Sequence, residues 1–227
     1  MLMLLTSAIC GVLLFGKQAS FTPARIYVIG ERDIYAMSLR MDTSEYSVSI
    51  LGKLSYEVKK LYENGDADLE TKAYDMTINV LGQEMKQPGG DIRVIRYNKF
   101  GAPIEKGIPK DRRQPIFMNF LIYRPSAEMK VGDKVKIDET IQGDVKTTVK
   151  GSAKLESIQD GIAKVSASIS VMEPNLKKPT RIESVGYFDA KTSKLNRSES
   201  KLEDVEPGEM PGMPPVKSIT VVIERDR

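Results

Sequence analysis

The sequence predicts an all-β protein: a strongly curved antiparallel sheet or half-open barrel, built from two similar halves of about five strands each. Three observations lead there. Between Lys130 and Val171 apolar residues recur with period two in three successive runs, for example Ala163, Val165, Ala167, Ile169 and Val171 against Lys164, Ser166, Ser168 and Ser170. Such runs, broken at Gly143-Asp144 and Asp160-Gly161, are what a meander with one dry and one wet face requires. The same alternation appears earlier, where Tyr35, Met37, Leu39 and Met41 lead to Tyr46, Val48, Ile50, Leu54, Tyr56 and Val58. Finally, landmarks recur about 100 residues apart in the same order.

Met1–Gly16 is an apolar run about the length of a signal-peptide core and short of the roughly 20 residues a membrane span needs. Residues 1–20 are therefore expected to be a signal peptide or N-terminal membrane segment, with Ala19 and Ser20 small enough for a cleavage point. Residues 21–227 then form a single β-rich domain, and the expected location is extracytoplasmic, in the periplasm or cell envelope. Membrane contact is expected through the leader only.

Composition narrows the chemistry. The 227 residues hold 34 basic and 31 acidic side chains, a formal charge of +3, too slight for a nucleic-acid footprint. There is no His, and the single cysteine, Cys10, lies in the leader. The usual proton-transfer group and the commonest metal ligand are thus missing, and the domain itself offers no thiol. The expectation is a protein that is not an enzyme and holds no metal or other cofactor.

Taken in order, strands are expected over Ile34–Met41 and Tyr46–Lys59, then a hairpin turn at Asn64-Gly65-Asp66. Ala67–Val80 returns as a strand whose apolar parity switches from Ala67, Leu69 and Ala73 to Tyr74, Met76, Ile78 and Val80, the mark of a bulge. Gln87–Asp91 reads as a loop and Ile92–Tyr97 as a short strand. Pro103, Pro109 and Pro115, mixed with Lys106, Lys110, Arg112 and Arg113, exclude a packed strand and suit a solvated crossover. Ile116–Tyr123, nearly all apolar, suits a strand covered on both faces.

The pseudo-repeats span about 26–123 and 129–225. Ile29-Gly30-Glu31-Arg32 matches Val131-Gly132-Asp133-Lys134, Gly52 matches Gly151, Gly65 matches Gly161, and Ile92, Ile95 and Tyr97 match Ile182, Val185 and Tyr187. A glycine on the apolar parity is expected to let each long strand bend.

Four features resemble a group of uncharacterised exported bacterial β-rich proteins, often lipid-anchored, that form a domain family of unknown function. They are the leader, the paired apolar-Gly-acidic-basic lead-ins, the Met210-Pro211-Gly212-Met213 loop, and the turn Tyr187–Leu195. The resemblance implies a curved sheet similar to that of the periplasmic lipoprotein carriers, and an envelope location; it implies no activity. Departures from the pattern are the lack of a lipid-attachment cysteine in good context, and Ile34 and Val135 where the family favours an aromatic residue.

Acidic pairs such as Asp138-Glu139 sit beside turns or on wet faces, where they serve solubility and edge protection. Met210 and Met213 offer two thioethers to a soft cation, too few for a site by themselves. The candidate apolar-ligand face is Tyr35, Met37, Tyr56, Tyr74 and Met76, since adaptable thioethers and amphipathic phenols suit an apolar guest. The expected function is a non-catalytic envelope protein that binds a lipid, apolar peptide or other apolar ligand on a curved sheet. The alternative is a structural or assembly component of the envelope without a small-molecule ligand.

Overall fold

The computed structural model describes residues 19–90, 92–104, 121–141, 146–174, 176–205 and 214–226. Its strands are β1 (Ser20–Phe21), β2 (Arg32–Thr43), β3 (Ser47–Leu61), β4 (Ala67–Val80), β5 (Gln83–Gln87), β6 (Arg93–Tyr97), β7 (Met129–Lys130), β8 (Lys134–Ile141), β9 (Thr147–Gln159), β10 (Ile162–Met172), β11 (Thr180–Asp189), β12 (Leu195–Glu203) and β13 (Val216–Arg225). Among the described residues there is no helix, so the chain is all-β and antiparallel throughout. The leader, the Gly143-Asp144 break, most of the proline-rich crossover and the Met210–Met213 loop lie outside the described residues. Of the strand expected over Ile116–Tyr123 only 121–123 are described, and they are irregular.

Eleven strands form one sheet in the order β5-β4-β3-β2-β13-β12-β11-β10-β9-β8, with β6 also paired to β4. The chain starts mid-sheet at β2, meanders out to β5 and β6, crosses to β8 at the far end, and meanders back until β13 lies against β2. The end strands β5 and β8 do not pair, so the sheet is open and not closed into a barrel. Both ends carry charge, Glu84 and Lys86 on β5 and Lys134, Lys136, Asp138 and Glu139 on β8, which discourages edge-to-edge pairing.

Strand boundaries follow the turn chemistry. Asp160 and Gly161 both take positive φ (51° and 75°), a two-residue turn whose twist matches the flanking β9 and β10. Gly65 takes φ 85° in the turn between β3 and β4, so both paired glycines are left-handed, as the turn reading requires. Leu81 and Gly82 form another such turn (φ 52° and 81°), leading into β5, a strand that the polar run Gln83–Gln87 did not predict. Pro88, Gly89 and Gly90 then interrupt the edge before β6 resumes it, and Gly90 N–H donates to Ala73 O at 2.8 Å across the gap.

The parity switch in β4 is a bulge. Between the pairs Lys53↔Tyr74 and Leu51↔Thr77 an extra residue, Asp75, sits at φ 52°. The dry face therefore runs through Ala67, Leu69 and Ala73 and resumes at Met76, Ile78 and Val80. Tyr74, paired with Lys53, is turned to the other face.

Burial is deepest in the C-terminal strands. Val149, Ala153, Leu155, Ala163, Val165, Ile182, Phe188 and Leu202 are all essentially inaccessible and alternate with more exposed, mostly polar residues. The short β1–β7 pair adds Phe21 and Met129 to this core, with Phe21 stacked on Phe188 at 5.8 Å. At roughly 25 cal/mol per Å² of apolar surface, each such side chain stabilises the fold by about 1.5–3 kcal/mol. A second, smaller cluster, Val58, Ala67 and Leu69, lies under Tyr27, Tyr56 and Tyr97.

The two lead-ins share one geometry. Gly30 donates to Val58 O, Glu31 to Val28 O, and Val58 to Glu31 O; likewise Gly132 donates to Leu155 O, Asp133 to Lys130 O, and Leu155 to Asp133 O. Both glycines have positive φ (77° and 92°), and a bulge follows each clamp, at Lys59 and at Glu156. The glycine pair in the long strands does not share this equivalence. Gly52 lies opposite Met37, five residues past Arg32, whereas Gly151 lies opposite Ile137, three past Lys134. Their surroundings differ too: the Met76 thioether fills the space over Gly52, while the backbone of Ser168 and Ile169 closes over Gly151.

Candidate functional site

The N-terminal segment 19–31 positions the site. After β1 it passes between two turns, tied by Arg25 N–H to Lys99 O (2.7 Å), by Ile26 N–H to Thr192 O (3.2 Å), and by Ser193 Oγ donating to Pro23 O (2.7 Å). Here Arg25 and Tyr27 meet the start of β2, the middle of β3 and β6. Between them is a cavity of about 110 Å³ that opens to solvent. Its apolar wall is Tyr35, Tyr56, Val58, Leu69, Tyr97 and Ile122; its polar end is Arg25, Glu31, Asp33 and Arg124.

The aromatic rings form a chain. Tyr35 meets Tyr56 edge-on at 5.8 Å, and Tyr56 meets Tyr97 edge-on at 6.3 Å. Such pairs contribute about 0.5–1.5 kcal/mol each beyond area burial and hold the rings rigid. Burial raises the pKa of Tyr27, Tyr35, Tyr56 and Tyr97, so the phenols are neutral donors at ordinary pH.

At the polar end Arg25 bridges Glu31 at 2.9 Å and Asp33 at 3.0 Å, with only 7% of its side chain exposed. Lys194 contacts Glu31 and lies 3.6 Å from Asp33, and Arg225 reaches Asp33 at 3.1 Å. Oδ1 of Asp33 accepts no well-aligned hydrogen bond and is balanced by charge alone. Burial, with Arg25 and Arg225 nearby, presses the Lys194 ammonium down to about 8 even with Glu31 in contact.

Arg124 approaches from the irregular stretch after Leu121, whose carbonyl is held by the Ser198 and Ser200 hydroxyls. Its guanidinium lies 4.6 Å over the Phe188 ring and donates through Nη1 to the backbone oxygen and Oγ of Ser193. Gly101 (φ 76°) makes room for it: a Cβ there would lie 2.8 Å from Nε. No carboxylate among the described residues forms an ion pair with Arg124. Burial depresses its pKa to about 10, with Arg25 adding to the effect.

Of the five residues expected to form one apolar face, the structure brings Tyr35 and Tyr56 together in this cavity. Met37 packs against the main core, and Met76 caps Gly52. Tyr74, on the opposite face from Tyr35, borders with Met76 a separate open depression beside Pro88 and Gly89. The five do not make one surface. Arg25, Asp33, Arg124 and Lys194 were missed, because their separations in sequence carry no pattern. One signal was present: Asp33 shares the parity of Tyr35, Met37 and Leu39, and a carboxylate on the dry face of a strand needs a buried partner.

Among the described residues no group of three acidic or thiol side chains converges as a metal site. No family model matches the chain, and no curated protein matches it. Among solved structures it is similar to a DUF1329 family protein from Desulfovibrio piger, at 9% identity over 87% of this chain and 85% of that one, with a TM-score of 0.27.

Proposed function

We propose that the chain is a non-catalytic binding protein of the cell envelope, exported through its leader, and that its ligand sits in the cavity between Tyr35 and Tyr56. One observation carries this reading: the rings of Tyr35, Tyr56 and Tyr97 wall a space that no side chain fills and that opens to solvent. A volume of about 110 Å³ suits one aromatic ring or a short aliphatic chain. It is well below the roughly 300–1,000 Å³ of pockets that enclose drug-sized ligands. A longer acyl chain would have to leave through the open end. The shared lead-in geometry supports descent of both halves from one curved unit, a half-open sheet gripping its guest on the inner face.

The assembly alternative draws on Leu81, Met85, Ile92 and Val94, apolar side chains 49–74% exposed around β5 and β6. Calorimetry with single-ring compounds decides between the two. The binding reading expects a saturable one-to-one isotherm that Tyr56→Ala weakens about tenfold or more. No heat with any ring compound, together with concentration-dependent self-association lost on Ile92→Lys, would favour assembly.

A further inference from the structure

We propose that the cavity selects an organic anion, a small carboxylate carried on one aromatic ring or a short aliphatic chain, and that Arg124 is the residue that pairs with its charge. The inference rests on the binding reading above and specifies its ligand.

The case begins with the charges that meet at the polar end. Four cations converge there, Arg25, Arg124, Lys194 and Arg225, against two carboxylates, Glu31 and Asp33. The excess is two positive charges (four minus two), in surroundings where the Arg25 and Asp33 side chains are 7% and 8% exposed. Both carboxylates are already engaged: Arg25 and Lys194 each reach both, and Arg225 reaches Asp33. Arg124 is the one of the four that no carboxylate among the described residues contacts. Arg124 is half-buried, and a partly desolvated charge without a counter-charge is costly, so an incoming anion relieves that cost.

The geometry of Arg124 suits reception of an anion. One face of its guanidinium rests on Phe188, and Nη1 is committed to Ser193. Neither Nε nor Nη2 donates to a described residue, and these are the two donors a planar carboxylate engages side by side. Gly101 keeps the approach to Nε clear, since any Cβ there would crowd it. The Tyr35 phenol lies within electrostatic reach of Arg124 and remains neutral, so it can donate to an anion without repelling it, whereas the Tyr27 hydroxyl already donates to Asn98 O at 3.2 Å. The apolar wall of Tyr56, Val58, Leu69 and Ile122 faces the rest of the ligand. Charge at one end and a ring-sized apolar space at the other define the class: a monocarboxylate with a compact apolar body.

The test uses the full chain with 3-phenylpropionate and its neutral amide, each titrated by calorimetry. The acid should bind at least about tenfold more tightly than the amide, and added salt should narrow the gap. Arg124→Met, which keeps the bulk over Phe188, should abolish the preference, so that acid and amide bind alike. In the wild-type chain the Arg124 Nε–H resonance should shift with the acid and stay still with the amide, a readout that needs no folded variant. Equal binding of acid and amide would overturn the inference and leave the binding reading standing. A preference that survives in Arg124→Met, or an acid that leaves the Nε–H resonance unmoved, would also overturn it. If neither compound binds, the binding reading itself fails and the inference falls with it.

Discussion

Asp189 shows how much one side chain can hold in this fold. It ends β11 by accepting, at a single oxygen, the backbone N–H of Thr192 (2.7 Å) and Lys191 (3.0 Å) and the Thr192 hydroxyl (2.8 Å). These bonds, the one from the Thr192 backbone foremost, lower its pKa below the usual aspartate value. A lowered carboxylate contributes stability that is fully present above the unfolded pKa, about 3.9, and is lost as pH falls through the native one. Asp189→Asn keeps the acceptor and removes the titration, so its stability should fall less steeply below about pH 4 than the wild type does. Denaturant midpoints across that range check this. Tyrosines offer a second test, because Tyr35 is 7% exposed in the cavity wall and Tyr74 faces away from it. Tyr35→Ala should cost about 3–5 kcal/mol and Tyr74→Ala less than about 1 kcal/mol. Equal losses would contradict the change of face at Asp75. At this scale the sequence was legible only where a residue broke a local rule, as Asp33 does on the dry parity of β2. Arg124 broke none, for an arginine after an apolar run is ordinary until the fold sets it on Phe188.

Strands and hairpins were the most legible features, because alternation and turn chemistry are local. β4 was bounded at Ala67 and Val80 by its pattern, and β10 begins at Ile162, directly after Asp160-Gly161. β5 escaped notice since its residues are all polar or exposed and its turn uses Leu81, a poor left-handed residue, where Asn would announce it. The glycine match misled for a related reason: identical spacing within a strand does not ensure identical register against its neighbour. The two positions therefore make a sharp comparison. A Cβ on Gly151 would lie 2.1 Å from the Ser168 carbonyl oxygen, a backbone atom that can yield only by moving β10. On Gly52 it would meet the end of the Met76 side chain, which can swing away. Gly151→Ala should thus cost about 1–3 kcal/mol or more, and Gly52→Ala under about 1 kcal/mol. Thermal unfolding of the two variants side by side measures the difference; a reversed order would contradict the packing described.

For the whole molecule, the sheet depends on one seam that no local pattern foretold, β13 against β2. It joins Arg225 to Tyr35 and Val216 to Thr43, and it is the only link in the sheet between the N-terminal strands and the C-terminal ones among the described residues. The cavity lies beside it, lined by Ile223 as well as Tyr35. Deleting 216–226 should therefore abolish ring-compound binding and split a single cooperative unfolding transition into a residual C-terminal one, detectable by hydrogen exchange that persists in β9–β11. An unchanged single transition would show that the halves are held together by other means.

That seam also imposes an order on biosynthesis. β2 ends at Thr43 and β13 begins only at Val216, so a growing chain carries β2 with one edge unpaired through all the synthesis between them. The first meander can form at once, but one long edge stays open until β13 emerges, and contacts so far apart in the chain form slowly. The sheet is finished only once β13 has been made and has docked on β2, so the strands on either side of the seam gain a common framework late.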